Sequence, residues 1–325
     1  MALLKNVELK RIDETMADIK KTWVVHKFGG TSVGSPECMR SCIKIIKPYL
    51  SQQRVAVVVS AMGGKPKVTD LLLDMVHAAA NDRNPEILEK MGLIREKHQA
   101  CVADMLAEAP EVAASIMDKI IADLKDITDL LRAVSLMKMA HEQILELVSG
   151  YGELWSATIM AASLQQMGLP FIFLNARDVL FVSEDDLGTK IHWDVSEEKI
   201  IQHLSKAEAE FAKTDLGKKT IALSGGIPLP HLMITGYIAS SLNGVATTLK
   251  RDGSDFSASI FGKMLKASGI YIWTDVSGVY SADPRRVPEA QIIPEVSYSE
   301  AIELAYFGAK VIHPKTYCLI IHNNS

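Results

Sequence analysis

The run 23–28 is apolar and ends on Gly29-Gly30; the run 54–60 is β-branched and ends on Ala61-Met62-Gly63-Gly64. Neither run alternates with polar residues, which predicts strands buried on both faces of a parallel sheet. Between them, Ser35-Pro36 precedes Met39, Ile43, Ile46 and Leu50. A proline at the first helical position with apolar residues at that spacing predicts a helix. Strand, glycine loop, helix, strand, glycine loop is the βαβ rhythm of an α/β fold. Residues 70–166 follow helical spacing and are rich in Ala, Leu, Glu, Lys and Met, with breaks predicted at Asn84-Pro85, Pro110 and Gly150-Tyr151-Gly152. Met167-Gly168 closes the last of these helices, 170–174 reads as a strand, and 197–212 reads as helical. Further strands are predicted at 220–223, 231–235, 246–249 and 270–273, with a helix over 254–266.

Composition narrows the class. The 325 residues are 48% hydrophobic and 23% charged, enough apolar matter for a sizeable core and incompatible with disorder as the main state. Lys plus Arg number 35 against 39 Asp plus Glu, for a net charge of −4. That balance argues against nucleic acid as the main partner. Cys38, Cys42, Cys101 and Cys318 are too few and too scattered for a disulfide framework. Cys38 and Cys42 lie four residues apart with no second ligand pair, so reduced thiols are expected and no protein metal site. No apolar run approaches the ~18 residues of a membrane span. Residues 1–21 are amphipathic but carry Glu8, Asp13, Glu14 and Asp18, which suits a helical leader rather than a transit or secretory signal. No repeat, low-complexity tract or linker divides the chain, so one α/β unit with two lobes is expected.

Five blocks carry candidate chemistry. Lys27-Phe28-Gly29-Gly30-Thr31-Ser32 stands at a strand end before a helix. Adjacent glycines expose consecutive N–H groups to a phosphate, and Lys27 is placed to point at the same anion. The block is not a P-loop, because the lysine precedes the glycines. Lys250-Arg251-Asp252-Gly253-Ser254-Asp255 opens a helix and offers an arginine fork for a carboxylate or phosphate beside an acid; a plain helix cap is the simpler reading of Ser254 or Asp255. Glu153, in Gly150-Tyr151-Gly152-Glu153-Leu154-Trp155-Ser156, would by itself be a surface residue complementing a helix dipole. Trp273-Thr274-Asp275 leads into a turn-rich loop with Tyr280, Asp283 and Arg285, a composition suited to adenine and ribose. Phe307-Gly308-Ala309-Lys310 sets another lysine beside a glycine.

Together, in this order and spacing, the five blocks resemble the catalytic domain of aspartate kinase, within the amino-acid kinase superfamily, from about Trp23 to Thr316. KFGGTSVG, VSGYGELWS, TTLKRDGSDFSA, IWTDVSGVYSADPRRVPEA and YFGAKVIHPKT carry the resemblance. The spelling is most like the kinase half of fused aspartate kinase–homoserine dehydrogenases. The resemblance implies a three-layer α-β-α sandwich on a mainly parallel sheet. It divides the chain into a leader (1–21), an aspartate-binding lobe with a helical insertion (22–215), a nucleotide-binding lobe (216–317) and an atypical tail (318–325). It also implies phosphorylation of the side-chain carboxylate of L-aspartate by ATP, with Mg²⁺ arriving on the nucleotide. That reaction opens lysine, threonine, methionine and isoleucine synthesis. Lys27 and Asp255 would be catalytic. Thr69, Glu153, Arg251 and Ser254 would bind aspartate, Arg251 its α-carboxylate and Glu153 its ammonium. Lys27, Gly29, Gly30, Ser32, Thr274, Asp275, Tyr280, Asp283, Arg285 and Lys310 would hold ATP. The nucleophile is already a carboxylate, with a free-acid pKa of about 3.9, so no histidine base is required.

Two departures stand out. Ile221-Ala222-Leu223-Ser224-Gly225-Gly226 precedes Met233-Ile234-Thr235-Gly236-Tyr237-Ile238, so two segments compete for one strand-and-loop position. The chain also ends on Cys318-Leu319-Ile320-Ile321-His322-Asn323-Asn324-Ser325, which does not resemble the regulatory domains that follow in the family. Insensitivity to lysine and threonine is therefore expected, with at most a homo-oligomer held by kinase-domain contacts. Cytoplasm is the expected compartment, or a plastid for a plant or alga. The competing readings are a kinase for another acid substrate and an inactive chain serving as an assembly partner.

Overall fold

The computed structural model describes residues 22–185, 188–223, 230–250, 253–274, 278, 280–282, 287–297, 300 and 303. The strands among them are β1 (Trp23–Phe28), β2 (Arg54–Val59), β3 (Phe171–Leu174), β4 (Val182–Asp185), β5 (Gly188–Ile191), β6 (His231–Thr235), β7 (Ile238–Ser240), β8 (Ala246–Thr248) and β9 (Gly269–Trp273). The helices are α1 (Pro36–Ile46), α2 (Val68–Ala80), α3 (Asn84–Met105), α4 (Pro110–Met137), α5 (Glu142–Ser149), α6 (Tyr151–Gln166), α7 (Trp193–Phe211), α8 (Asp215–Leu223) and α9 (Gly253–Met264).

Five strands form one parallel sheet in the order β3-β6-β2-β1-β9. β1 and β2 are buried along their whole length, mostly by apolar residues, with His26 and Lys27 in β1 and Arg54 in β2 as the buried polar ones. Period-two alternation separates the two faces. Val24, Phe28, Val55, Val57 and Val59 join the core built by α1, α2, α3, α4 and α6. Trp23, Val25, Ala56, Val58, Leu232 and Ile234 join the core under α7 and α9. Helix, sheet and helix make the expected three layers. β4 pairs with β5 and β7 with β8 in two small antiparallel ladders. Among the described residues, no helix is long and apolar enough to cross a membrane.

Local chemistry explains several helix ends. The Ser35 hydroxyl accepts from the Cys38 N–H at 3.3 Å, with Pro36 at N1, as the sequence predicts for α1. Pro110 opens α4. Gly168 adopts φ +75° just past α6, a left-handed stop that glycine makes without steric cost. The break between α4 and α5 falls on Lys138, itself left-handed at φ 55°. No glycine or proline marks that break, so the sequence pattern passes over it.

One predicted strand is a helix. Residues 220–223 belong to α8. Thr214 caps this helix, its hydroxyl accepting from the Gly217 N–H at 3.0 Å, and the Thr220 hydroxyl donates to the Leu216 carbonyl one turn back. The sheet position between β3 and β2 is filled by β6. Of the two competing segments, the second therefore supplies the strand and its turn, Thr235-Gly236-Tyr237.

Candidate active site

In an open parallel α/β sheet, ligands gather at the carboxyl ends of the strands. Here β1, β2 and β6 bring their loops together at that edge. Lys27, one residue from the end of β1, alternates onto the face covered by α9. Its ammonium lies 2.6 Å from Asp255 Oδ1, with the two side chains 9% and 18% exposed. The contact is an ion pair, and no hydrogen bond reaches Oδ1 from the described residues. The structure thus brings together Lys27 and Asp255, which are far apart in sequence.

The glycine loops interlock. Residues 30–33 form a 3₁₀ turn after β1, closed by the Ser32 N–H donating to the Gly29 carbonyl at 3.0 Å. The Gly63 N–H donates to the Gly30 carbonyl at 2.8 Å. A Cβ on Gly63 would stand 2.5 Å from Gly30 C and O and 2.8 Å from Thr31 N, all backbone atoms that cannot swing aside. Gly29, Gly30 and Ser32 are half-buried, which leaves the turn open to a ligand. Gly63→Ala is expected to cost ~1–3 kcal/mol through overpacking. Gly92→Ala is the control, because nothing lies within 4 Å of a Cβ at that helical position. It should stabilise the protein by about 0.4–1 kcal/mol. Thermal melts of the pair check this; equal melting temperatures would show that the two loops are not rigidly docked.

Glu153 departs from its simplest reading as a surface helix-dipole residue. It is 3% exposed, in the first turn of α6. Its Oε1 accepts from the Ala61 N–H at 3.2 Å, and its buried Oε2 has no hydrogen-bond partner among the described residues. Burial pushes its carboxyl up to about 7, opposed by the Ala61 N–H and by the charge of Arg177. α6 approaches this closely because Gly152 has no side chain: a Cβ there would stand 2.6 Å from Ala61 Cβ. The Ser156 hydroxyl completes the dock by donating to the Ser60 carbonyl at 2.6 Å. A buried, half-satisfied carboxylate at the ligand edge is a receptor for a cation.

Thr69 is half-buried in the first turn of α2, which is tied to the same loop by the Val68 N–H donating to the Met62 carbonyl at 3.1 Å. Ser254 enters from the β6 side, where a Cβ on Gly236 would stand 2.9 Å from its own Cβ. Tyr237, left-handed at φ 66°, donates its N–H to the Ser257 hydroxyl at 2.9 Å and pins that turn to α9. On the predicted nucleotide side, Thr274 directly follows β9, and Tyr280 forms an antiparallel bridge with Ile292. Arg251, Asp275, Asp283, Arg285 and Lys310 lie outside the described residues, as do residues 1–21 and the tail.

The sequence reading passes over several supporting residues. Lys97 of α3 donates its ammonium to the Gly63 carbonyl and buttresses the second glycine loop. The Trp273 indole donates to His26 Nδ1 at 3.1 Å, coupling the ends of β9 and β1. Burial holds His26 and His98 down to about 4 and His231 to about 3, so these three interior histidines are neutral at pH 7. His231 Nδ1 accepts from the Val55 N–H at 3.0 Å, and His98 pairs with the Ile94 carbonyl at 2.7 Å, both structural tasks. None of these residues has a local motif; each acts through partners distant in sequence or on the next helical turn.

A parallel sheet with a lysine and a glycine turn at the end of β1 and an acid at the start of the facing helix is an arrangement suited to a phosphorylated ligand. The chain belongs to the amino acid kinase family, whose model matches residues 22–325. Among its relatives is a chloroplastic bifunctional aspartokinase/homoserine dehydrogenase 1 of Zea mays, 36% identical over 96% of this chain and 31% of that protein. An aspartokinase of Schizosaccharomyces pombe is 28% identical over 99% of this chain and 57% of that protein. A solved structure of E. coli aspartokinase III in complex with aspartate and ADP superimposes with a TM-score of 0.75 at 28% identity, covering 92% of this chain and 60% of the other. The chain thus spans about a third of the bifunctional relative and under two thirds of the monofunctional ones.

Proposed function

We propose that this chain transfers the γ-phosphoryl group of ATP to the side-chain carboxylate of L-aspartate, giving 4-phospho-L-aspartate and ADP. The observation that carries this reading is the pairing of two opposite receptors on one sheet edge. Lys27, held by Asp255 beside a glycine turn, suits a phosphate. The buried Glu153, with one oxygen unpartnered, suits an ammonium. A substrate that is both an amine and a phosphoryl acceptor fits the pair, and the likeness to aspartokinases supports aspartate as that substrate. The structure with aspartate and ADP bound supports the choice of both ligands.

The chemistry asked of the protein is modest. The acceptor carboxylate is already ionised, so catalysis consists of aligning two anions and neutralising charge on the moving phosphoryl group. Lys27 supplies that charge. Mg²⁺ would come with ATP, and Asp255 is the carboxylate that would face its hydration shell. Arg251 is assigned the α-carboxylate of aspartate, where a planar fork grips two oxygens at once. Thr69 and Ser254 are assigned hydroxyl contacts to the same substrate. Gly29, Gly30, Ser32, Thr274, Asp275, Tyr280, Asp283, Arg285 and Lys310 are assigned to ATP.

The test is direct. Incubation with Mg²⁺, ATP and L-aspartate should form an acyl phosphate that hydroxylamine traps as the hydroxamate. Product from glutamate or acetylglutamate in place of aspartate would overturn the substrate assignment. No product from any of the three would return the chain to the reading of an assembly partner.

A further inference from the structure

The segment that leads into α9 is anchored far from its own sequence neighbourhood. Lys250, the last described residue before Gly253, is left-handed at φ 60°. A non-glycine residue stays in that region only when its surroundings hold it. The Lys250 ammonium contacts the carboxylates of Glu142, Glu146 and Glu184. Glu142 and Glu184 are 72% and 59% exposed, and ion pairs of that kind contribute little. Glu146 is 12% exposed and is the inner partner. It also accepts from the Thr247 hydroxyl at 2.9 Å and the Thr248 hydroxyl at 3.3 Å, so one carboxylate grips three of four consecutive residues, 247, 248 and 250.

The helix that carries Glu146 is fixed at its other end beside Glu153. Arg177 Nη2 donates to the Leu147 carbonyl at 3.2 Å, near the C-terminus of α5. Gly150 separates α5 from α6, and a Cβ there would overlap the Arg177 guanidinium. From Gly150 the chain passes in three residues to Glu153. One short helix therefore connects the carboxylate assigned to the substrate ammonium with the segment that delivers Ser254 and Asp255. A rigid span between two receptors sets the spacing that a substrate must match.

We propose that Glu146 is a positioning residue for the amino-acid substrate, holding the strand-to-helix segment 247–250 at a fixed distance from Glu153. This rests on the reading of Glu153 and the start of α9 as the aspartate site. Glu146 does not itself touch the substrate; it acts through Lys250 and the two threonines.

The experiment compares the unsubstituted chain with Glu146→Gln by calorimetric titration with L-aspartate and, separately, with Mg-ADP, alongside a thermal melt. Gln keeps the shape and an acceptor for a threonine hydroxyl but removes the charge that holds Lys250. The expected result is aspartate affinity weakened about tenfold with ADP affinity changed less than about twofold. Lys250→Met should reproduce that profile, and the double variant should be no worse than either single one, since both break the same joint. Parallel loss of both ligands with a lowered melting temperature would reduce Glu146 to a structural role and overturn the proposal. Aspartate affinity unchanged in Glu146→Gln would overturn it as well, leaving the proposed function intact. Absence of aspartate binding by the unsubstituted chain would overturn both.

Discussion

Lys27→Ala is expected to lower kcat by ~10²–10³ while the KM for aspartate moves much less. That is the scale for removing one preorganised charge from a site where charge develops in the transition state. The structure adds a second expectation. Lys27 is the ion-pair partner of Asp255 at 2.6 Å, and Asp255 is only 18% exposed. Deleting the ammonium leaves that carboxylate uncompensated, so the variant should also lose ~1–3 kcal/mol of stability. Lys27→Ala combined with Asp255→Asn separates the two effects: stability should return in part, and turnover should not. Steady-state kinetics and denaturant melts of the three variants check this. A loss confined to aspartate KM would show that Lys27 binds the amino acid and not the phosphates. Recovery of turnover in the double variant would show that the single variant failed because it was unfolded.

The parts of this architecture that local pattern specifies were legible, and the parts fixed at a distance were not. β1 and β2 announce themselves because burial on both faces demands largely apolar, non-alternating runs. α1 does so because a serine cap and an N1 proline act within one turn. Lys27 and the glycine turn were legible for the same reason. Residues 220–223 misled because a short apolar run reads equally as a strand or a helix until something else fills the sheet position, and here β6 does. The ladder of β4 with β5 carries a single apolar pair, Val182 opposite Ile191, and is otherwise polar (Ser183, Glu184, Thr189, Lys190), too little apolar pattern to mark a strand. Glu153 is the instructive case. Its burial has a local trace, Gly152 before it and Ser156 after it, small residues that let α6 approach the β2 loop. Nothing local shows that Glu146 meets Lys250 or that Arg177 packs over Gly150, because those contacts join residues on different elements, far apart along the chain.

Glu153→Gln should make the ligand-free protein more stable and the enzyme worse. The carboxyl is pushed from its ordinary 4.5 up to about 7 by burial. A group whose folded pKa is raised holds its proton more tightly in the folded state than in the unfolded chain. Between about 4.5 and 7 the folded protein therefore binds more protons, and stability falls as pH rises through that window. Above about 7 the ionised carboxylate is a standing cost. At about 1.4 kcal/mol per pH unit, the gap sets a ceiling of ~3 kcal/mol. A neutral amide removes the charge while keeping the volume, so Glu153→Gln is expected to gain ~1–3 kcal/mol at pH 8 and much less at pH 5. The same change removes the proposed partner for the substrate ammonium, a charge-assisted contact of ~1.5–3 kcal/mol, so aspartate KM should rise by about one to two orders of magnitude. In the unsubstituted enzyme, kcat/KM for aspartate should climb as pH rises through about 7, as the receptor ionises, and that limb should be missing from the variant. Denaturant titrations at pH 5 and pH 8, with pH profiles of both proteins, check the pair of effects. A variant less stable at pH 8 would mean that Glu153 is already compensated within the fold. An unchanged acid limb would assign that ionisation to another group.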